Sequence, residues 1–103
     1  MIIYNITVNI DKSIEKEWLL WMKETHIPEV INTGMFVSAQ INKVLVKEKM
    51  NGINYSIQYS CENKDALNKY QKTFAQKLQQ EHTKKFEGKF IASRTLLEVI
   101  NEF

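Results

Sequence analysis

The sequence predicts an α+β sandwich in which helices cover one face of a four-stranded antiparallel sheet. Two of the four predicted strands alternate strictly between apolar and polar residues, and two intervening segments carry apolar residues at helical spacing. The elements follow one another as β-α-β-β-α-β with one hairpin in the middle, which is the ferredoxin-like arrangement. A chain of 103 residues, of which 44% are hydrophobic and 25% charged, suits a single domain spanning residues 1–103.

The first strand and the first helix account for the N-terminal third. Apolar side chains recur at every second position of residues 2–10, which predicts a strand. Asp11 or Ser13 can cap the helix that follows. The apolar stripe of this helix comprises Ile14, Trp18, Trp21, Met22 and Thr25. Pro28 ends or redirects the helix, and a short second helical turn then stops at Gly34.

The two middle strands are predicted to form a hairpin. Residues 36–46 are strand formers, and residues 53–61 alternate between apolar and polar side chains. Residues 47–52 between them end in Asn-Gly, a pair that adopts positive φ at little cost, so this segment is the predicted hairpin turn.

A long helix and a last strand complete the chain. Asn63 can cap a helix that continues to about Lys85. Its apolar stripe comprises Leu67, Tyr70, Phe74 and Leu78. Gly88 ends this region, and residues 89–100 are predicted to form the fourth strand.

The polar face of the first three strands carries no charge. Its ten side chains are Asn5, Thr7, Asn9, Ser38, Gln40, Asn42, Asn54, Ser56, Gln58 and Ser60. Amides and hydroxyls that pair with one another can be covered, whereas buried charges are costly. The chain has no third layer to cover this face, so we expect a second copy to do so in a two-fold homodimer. The alternative is a solvated face that happens to be neutral.

Charge and cysteine content exclude several classes of function. The net charge of +2 is too small for a nucleic-acid-binding surface, and the aromatic motif of RNA-recognition strands is not met after Gly52. No stretch is apolar enough to span a membrane, and the N-terminus lacks the pattern of a signal peptide. The single cysteine, Cys61, allows no internal disulfide and suits a buried structural thiol. We therefore expect a cytoplasmic protein with no nucleic-acid or membrane partner.

Four polar residues are the candidates for catalysis. His26 and His82 are the only histidines, and both fall near predicted helix ends. Glu81 and His82 flank the apolar stripe, where a carboxylate and an imidazole can transfer protons. The alternative is that they serve only as helix-terminal residues. Arg94 is the only arginine of the chain, and it either holds an anionic ligand or forms an ion pair with Glu81 or Glu98.

Aromatic residues near these candidates are the expected ligand contacts. Trp18, Trp21 and Met22 can wall an aromatic pocket, although such a stripe also suits a packed core. Tyr55, Tyr59 and Phe86 complete this set of candidates. No metal site and no cofactor are expected, because the histidines and glutamates lack the local spacing of zinc ligands.

Several segments together resemble a known family. They are residues 18–30 (WLLWMKETHIPEV), the Thr33-Gly34 turn, residues 55–59 (YSIQY) and residues 81–90 (EHTKKFEGKF). With them the chain resembles a small bacterial family of unknown function within the dimeric α+β barrel superfamily. The resemblance implies a homodimer whose two sheets close into a barrel. Other superfamily members are cofactor-free monooxygenases, lactone isomerases, dehalogenase-like enzymes and haem proteins, often with a pocket between sheet and helices.

The sequence supports two hypotheses of function. The first is a small homodimer that binds, or transforms by acid–base chemistry, a small apolar or aromatic molecule between the sheet and the helices. The second is a non-enzymatic dimer that senses a ligand or serves a structural role. No catalytic motif of an enzyme branch of the superfamily matches this chain, so fold alone does not decide between them.

Overall fold

The computed structural model describes residues 1–46 and 51–103. The four strands are β1 (Ile2–Ile10), β2 (Ser38–Lys43), β3 (Ile53–Cys61) and β4 (Phe90–Glu98). The helices are α1 (Glu15–Trp21), α2 (Ile27–Asn32), α3 (Lys64–Thr73) and α4 (Ala75–Lys85). A 3₁₀ turn (Lys12–Ile14) precedes α1, and a π-helical turn (Met22–His26) joins α1 to α2. The element order confirms the predicted β-α-β-β-α-β arrangement.

The four strands form one antiparallel sheet in the order β2-β3-β1-β4. The long strands β1 and β3 pair along their whole length, from Ile2 opposite Cys61 to Ile10 opposite Ile53. Because side chains alternate across a strand, β1 and β3 present one apolar row each to the helices. Most of these side chains are fully buried, including those of Val8, Ile57 and Tyr59. The sheet is therefore ferredoxin-like, with its hydrophobic core on one face only.

Both edge strands are shorter than the sequence predicts. β2 spans Ser38–Lys43 within the predicted 36–46, and β4 spans Phe90–Glu98 within the predicted 89–100. The neighbouring strand sets the limit for β4, because β1 offers partners only from Ile2 to Ile10. Strand propensity alone does not mark where a partner ends.

The predicted hairpin turn lies partly outside the described residues, which exclude Lys47, Glu48, Lys49 and Met50. The turn ends at Gly52, whose φ of +100° confirms the need for glycine at this position. A Cβ atom here would lie 2.6 Å from the carbonyl oxygen of Ile10. A side chain at this position would therefore clash with the end of β1.

The first helical segment contains a wider turn that the sequence pattern did not indicate. Pro28 lies in the first turn of α2, and the π-helical turn directly precedes it. A proline ring clashes with the carbonyl group four residues earlier in a regular α-helix, here that of Glu24. The wider turn, in which the N–H of Ile27 bonds to the carbonyl oxygen of Met22, relieves this crowding. Pro28 thus redirects the helix without ending it.

The second helical segment is also divided. The Asn63 side chain accepts a hydrogen bond from the N–H of Ala66 at 2.9 Å, which confirms the predicted cap. The predicted continuous helix is interrupted at Phe74, where φ and ψ are −118° and −33°. The bend allows both halves to follow the sheet, so that Tyr70 of α3 and Leu78 of α4 are buried. Among the described residues, no helix has the length and hydropathy that crossing a membrane requires.

The opposite face of the sheet is polar, neutral and partly accessible. Its amides and hydroxyls bond to one another across the strands: Asn9 to Asn54 at 2.9 Å, Ser56 to Asn5 at 2.7 Å and Gln40 to Gln58 at 3.1 Å. The register of β4 adds Ile91, Ser93, Thr95 and Leu97 to this face. We call it the outer face; none of its side chains on the four strands is charged.

Candidate functional site

The candidate site is a cavity of 40 Å³ between the sheet and the helices. Its lining includes Tyr4, Met22, His26, Tyr59, His82 and Arg94. Three strands and the helical layer contribute to it. A volume of this size holds about three water molecules or one small functional group. A wider depression of 670 Å³ at the end of the sheet, beside Gly52 and Lys89, is an open groove away from the histidines.

His82 projects from α4 and is held by a tryptophan. The indole N–H of Trp18 donates a hydrogen bond to Nε2 of His82 at 2.9 Å. An indole can only donate, so Nε2 carries no proton and the neutral ring has its proton on Nδ1. Burial, together with the nearby His26 and Arg94, lowers the pKa of His82 to about 4. His82 is therefore a neutral imidazole at pH 7.

His26 lies in the π-helical turn and faces the same cavity. Its ring stacks on that of Trp21, with 5.0 Å between centroids, and lies 5.8 Å from the ring of His82. Burial lowers its pKa to about 4, while Glu81 acts weakly in the opposite direction. Its Nδ1 atom is buried and has no protein hydrogen-bond partner among the described residues.

Tyr59 supplies a second buried polar atom without a partner. Its side chain points inward from the middle of β3 and is 1% exposed. The hydroxyl makes no hydrogen bond within the described part of the chain. Burial raises the pKa of Tyr59, with Tyr70 and Tyr4 adding to the effect, so the hydroxyl keeps its proton.

Arg94 reaches the cavity from the edge strand β4. Its Nε donates a hydrogen bond to the hydroxyl of Tyr4 at 3.0 Å. Among the described residues, no carboxylate forms a salt bridge with Arg94, so the internal ion pair considered for it with Glu81 or Glu98 is not present. The side chain of Arg94 lines the cavity and remains partly exposed to solvent.

Glu81 does not line the cavity with the other candidates. Its carboxylate lies near His26 and bonds to that of Glu29 on α2. Burial raises the pKa of Glu29, and the charge and hydrogen bond of Glu81 add to the effect, because a neighbouring carboxylate disfavours the ionised form. Glu81 thus acts on His26 without lining the cavity.

The aromatic candidates form a packed cluster beside the cavity. Trp18 packs on Tyr55 at 5.0 Å, and Phe86 contacts Trp21 and His82, each at 5.5 Å between centroids. The hydroxyl of Tyr55 donates to Glu15, and burial followed by this bond raises its pKa to about 12. Of the six predicted ligand contacts, Met22 and Tyr59 line the cavity.

Two lining tyrosines were not among the predicted site residues. Tyr4 lies opposite Tyr59 in the sheet register, and Tyr70 faces both from α3. The sequence signal for Tyr4 was a tyrosine in the otherwise aliphatic row of β1, because its hydroxyl needs a hydrogen-bond partner across the core. Within residues 1–46 and 51–103, no three His, Cys, Asp or Glu side chains cluster as metal ligands would.

Comparison with known proteins identifies the chain at the level of family and fold. The model of the family described as Domain of unknown function (DUF4286) matches residues 1–100, which confirms the resemblance to a family of unknown function. No curated protein is significantly similar in sequence.

Solved structures share the fold along the whole chain. HapK from Hahella chejuensis has a TM-score of 0.73 at 8% identity, with 100% of this chain and 96% of that chain covered. A dimeric ferredoxin-like protein from an uncultured marine organism has a TM-score of 0.67 at 18% identity, with coverage of 100% and 98%. A variant of SnoaB, a cofactor-independent oxygenase from Streptomyces nogalater, has a TM-score of 0.66 at 10% identity, with coverage of 98% and 95%. At these identities the likeness shows the fold alone.

Proposed function

The chain belongs to this family of unknown function, and we propose that it is a homodimeric protein that binds a small apolar or aromatic molecule in the cavity, where His26 exchanges a proton with it. One observation carries this proposal. His26 and Tyr59 line one cavity, and among the described residues Nδ1 of His26 and the hydroxyl of Tyr59 are buried without a protein partner.

Unpaired buried polar atoms are costly to the fold. Each costs on the order of 1–3 kcal/mol unless water or a ligand satisfies it. Two such atoms lining one space indicate a site that is completed by something other than the protein. A ligand with a polar group at one end satisfies both.

The protonation states of these groups suit proton transfer. Both histidines have a pKa of about 4 and are neutral at pH 7, so each ring has a nitrogen lone pair. The lone pair of His82 is already used by Trp18, whereas that of His26 is free to face the cavity. His26 is therefore the proton acceptor of the proposed site, and the protonated hydroxyl of Tyr59 is a donor.

The size and lining of the cavity limit what can bind. The enclosed 40 Å³ accepts the polar end of a ligand. The rest of the ligand requires displacement of Met22, whose unbranched side chain adapts readily. Ile6, Val8 and Phe90 form apolar walls that favour an apolar or aromatic body.

The outer face supports the homodimeric part of the proposal. It is uncharged on all four strands, and Ile91 and Leu97 on β4 are 63% and 42% exposed. A neutral face edged with apolar side chains suits contact with an identical face. One relative in fold is itself described as dimeric. We propose the cytoplasm as the compartment, where Cys61, buried and unpaired, stays reduced.

A purely structural role, one of the two non-enzymatic roles that the sequence allows, is the second candidate, and one observation favours it. His82 and Arg94 already have protein partners in Trp18 and Tyr4, as residues with structural roles would. In that case the cavity holds only water, and the histidines serve packing.

Ligand binding distinguishes the two candidates. We would titrate the protein with phenol, a small aromatic probe with one polar atom, and follow the ring signals of the two histidines by NMR. Ala92→Val fills the cavity from β4, and Ala39→Val adds the same atoms to β2 away from the lining. Site binding predicts saturable shifts in the native protein and in Ala39→Val, and none in Ala92→Val. Absence of saturable shifts in the native protein, or equal shifts in both variants, would contradict it.

A further inference from the structure

We propose that the cavity recognises an anionic group, a carboxylate in particular, and that Arg94 is the residue that selects it. This inference rests on the proposed function and names the chemical class of its ligand. It depends on three features: the free donors of Arg94, the charge balance of the lining, and the two partnerless polar atoms.

The guanidinium of Arg94 is held on one side and free on the other. Its Nε bonds to Tyr4, which is 2% exposed and therefore fixed in the core. Within the described residues, the two terminal nitrogens have no acceptor. A guanidinium presents pairs of N–H groups in a plane that matches the two oxygens of a carboxylate. The side chain is thus oriented for a ligand that the protein itself does not supply.

The charge balance of the lining favours an anion. Among the described residues that line the cavity, Arg94 is the only one charged at neutral pH, because none of the others is a carboxylate and both histidines are neutral. The nearest acidic groups, Glu29 and Glu81, bond to each other on the helical side with Lys77 close by, and neither lines the cavity. Arg94 is exposed, so with a neutral ligand only solvent compensates its positive charge, whereas a monoanion also neutralises that charge at the cavity.

The remaining polar groups can complete the coordination of the anion. The hydroxyl of Tyr59 is a donor without an acceptor, and it lines the same cavity as Arg94. His26 becomes a donor when it binds a proton, and a nearby anion favours that form. Binding of the anion and uptake of a proton are therefore coupled.

The coupling sets the pH dependence of binding. The groups that act on the two histidines are each other, Glu81 and Arg94, with the hydroxyls of three tyrosines lining the same cavity. An anion opposes the effect of Arg94 and raises the pKa of both rings. We expect affinity for a carboxylate to increase by about fivefold or more between about pH 7.5 and pH 5.5.

The test compares an anion with its neutral analogue. The histidine ring signals would be followed by NMR during titration with sodium acetate and, separately, with acetamide, at constant ionic strength set with chloride. Acetate is expected to bind and acetamide to bind at least about tenfold more weakly, because the amide lacks the charge that Arg94 recognises. Equal affinity for the two probes would overturn the inference.

Variants identify the residue responsible. Arg94→Gln is expected to weaken acetate binding at least about tenfold, and Arg94→Lys to have an intermediate effect because it keeps the charge but loses the planar pair of donors. Lys69→Gln removes the same charge from the exposed side of α3 and is the matched control. Tyr4→Phe releases the guanidinium without removing it, so it too should weaken binding. Native affinity in Arg94→Gln would overturn the proposal.

The outcomes separate this inference from the function on which it rests. If phenol or acetamide gives saturable shifts and acetate does not, the cavity is a ligand site and the preference for an anion is wrong. If none of the three probes binds, both proposals fail. If acetate shifts the signals equally in native protein and Arg94→Gln, the anion binds elsewhere and Arg94 is not its receptor.

Discussion

The two faces of the sheet both lack charge on their central strands, yet they satisfy their polar groups in different ways. On the outer face, side chains directly opposite on paired strands bond to each other, as Asn9 does with Asn54. On the inner face, polar side chains point at the helices, and pairing depends on what the helices supply. Trp18 supplies a partner for His82, and no described residue supplies one for the hydroxyl of Tyr59.

The two uncharged faces therefore differ in how their polar side chains find hydrogen-bond partners. Cross-strand neighbours lie about 5 Å apart, so a row of amides and hydroxyls becomes self-sufficient and can be covered by another surface. Between the sheet and the helices no such regular spacing exists, and the polar atoms without a partner belong to residues that line the cavity. The outer face therefore suits a protein partner, and the inner face suits a small ligand.

The largest effect on the free energy of unfolding is expected from protonation of the two histidines that face the inner side of the sheet. His26 and His82 have a pKa of about 4 in the folded chain and an ordinary value of 6.5. Between these values the unfolded chain binds more protons, so the free energy of unfolding falls as the pH falls from about 6.5 to 4, by on the order of 3 kcal/mol per histidine. Urea denaturation at several pH values measures this slope.

A matched variant isolates the contribution of His82 to that slope. His82→Gln keeps an acceptor for Trp18 but does not titrate, and it should flatten the pH dependence between 6.5 and 4. An unchanged slope would show that other groups dominate acid unfolding.

The next effect concerns the bond between the layers. Trp18→Phe removes the indole N–H and leaves Nε2 of His82 buried without a donor. We expect a loss of about 2–3 kcal/mol in the free energy of unfolding, from the unpaired acceptor and the smaller ring together. Trp21→Phe is the control, because Trp21 is half-buried and makes no side-chain hydrogen bond among the described residues; its cost should be about 1 kcal/mol or less. Equal losses would show that ring volume alone matters.

A smaller effect is expected at the outer face. Gln58→Lys places a charge at its centre, and in a two-fold dimer the two lysines meet or are buried unpaired. The dimer dissociation constant should increase by about 30-fold, or about 2 kcal/mol, as measured by sedimentation at several concentrations. Gln80→Lys on the exposed side of α4 should leave it unchanged. A monomeric native protein at micromolar concentration would contradict the dimer itself.

The smallest effects compare one hydroxyl from each face. Tyr59→Phe removes a buried hydroxyl that has no partner among the described residues, so the free energy of unfolding should rise by about 1 kcal/mol, the lower end of the cost of an unpaired group. Ser56→Ala removes the donor to Asn5 and should cost about 1 kcal/mol. If Tyr59→Phe costs clearly more than Ser56→Ala, the Tyr59 hydroxyl has a bound partner, which thermal denaturation of both variants would reveal.

Much of the architecture was predictable because its signals are local. Alternation along β1 and β3, the cap at Asn63 and the glycine at Gly52 each depend on residues within a few positions of one another. The bend at Phe74 was not predictable, because the apolar stripe continues across it from Tyr70 to Leu78 and no glycine or proline marks it. The π-helical turn before Pro28 was also missed, since proline indicates a disturbance but not the form it takes.

The candidate site was predictable only in part. The residue types were a sufficient reason to single out His26, His82 and Arg94, and the structure brings all three to one cavity. Glu81 precedes His82 in sequence but acts on His26, because successive residues of a helix point in different directions. The role of Tyr4 depends on Arg94, ninety positions away in sequence, and no local pattern connects them.

The sequence by itself determined which segments become strands and helices, which side of the sheet is apolar, and that the opposite side carries no charge. These properties depend on spacings of two to four residues, because side chains at such spacings lie on the same face of a strand or a helix. Only the tertiary structure decided which polar groups find partners. That outcome depends on how three strands and the helices meet around 40 Å³, where Trp18 reaches His82 and nothing reaches Tyr59 or Nδ1 of His26.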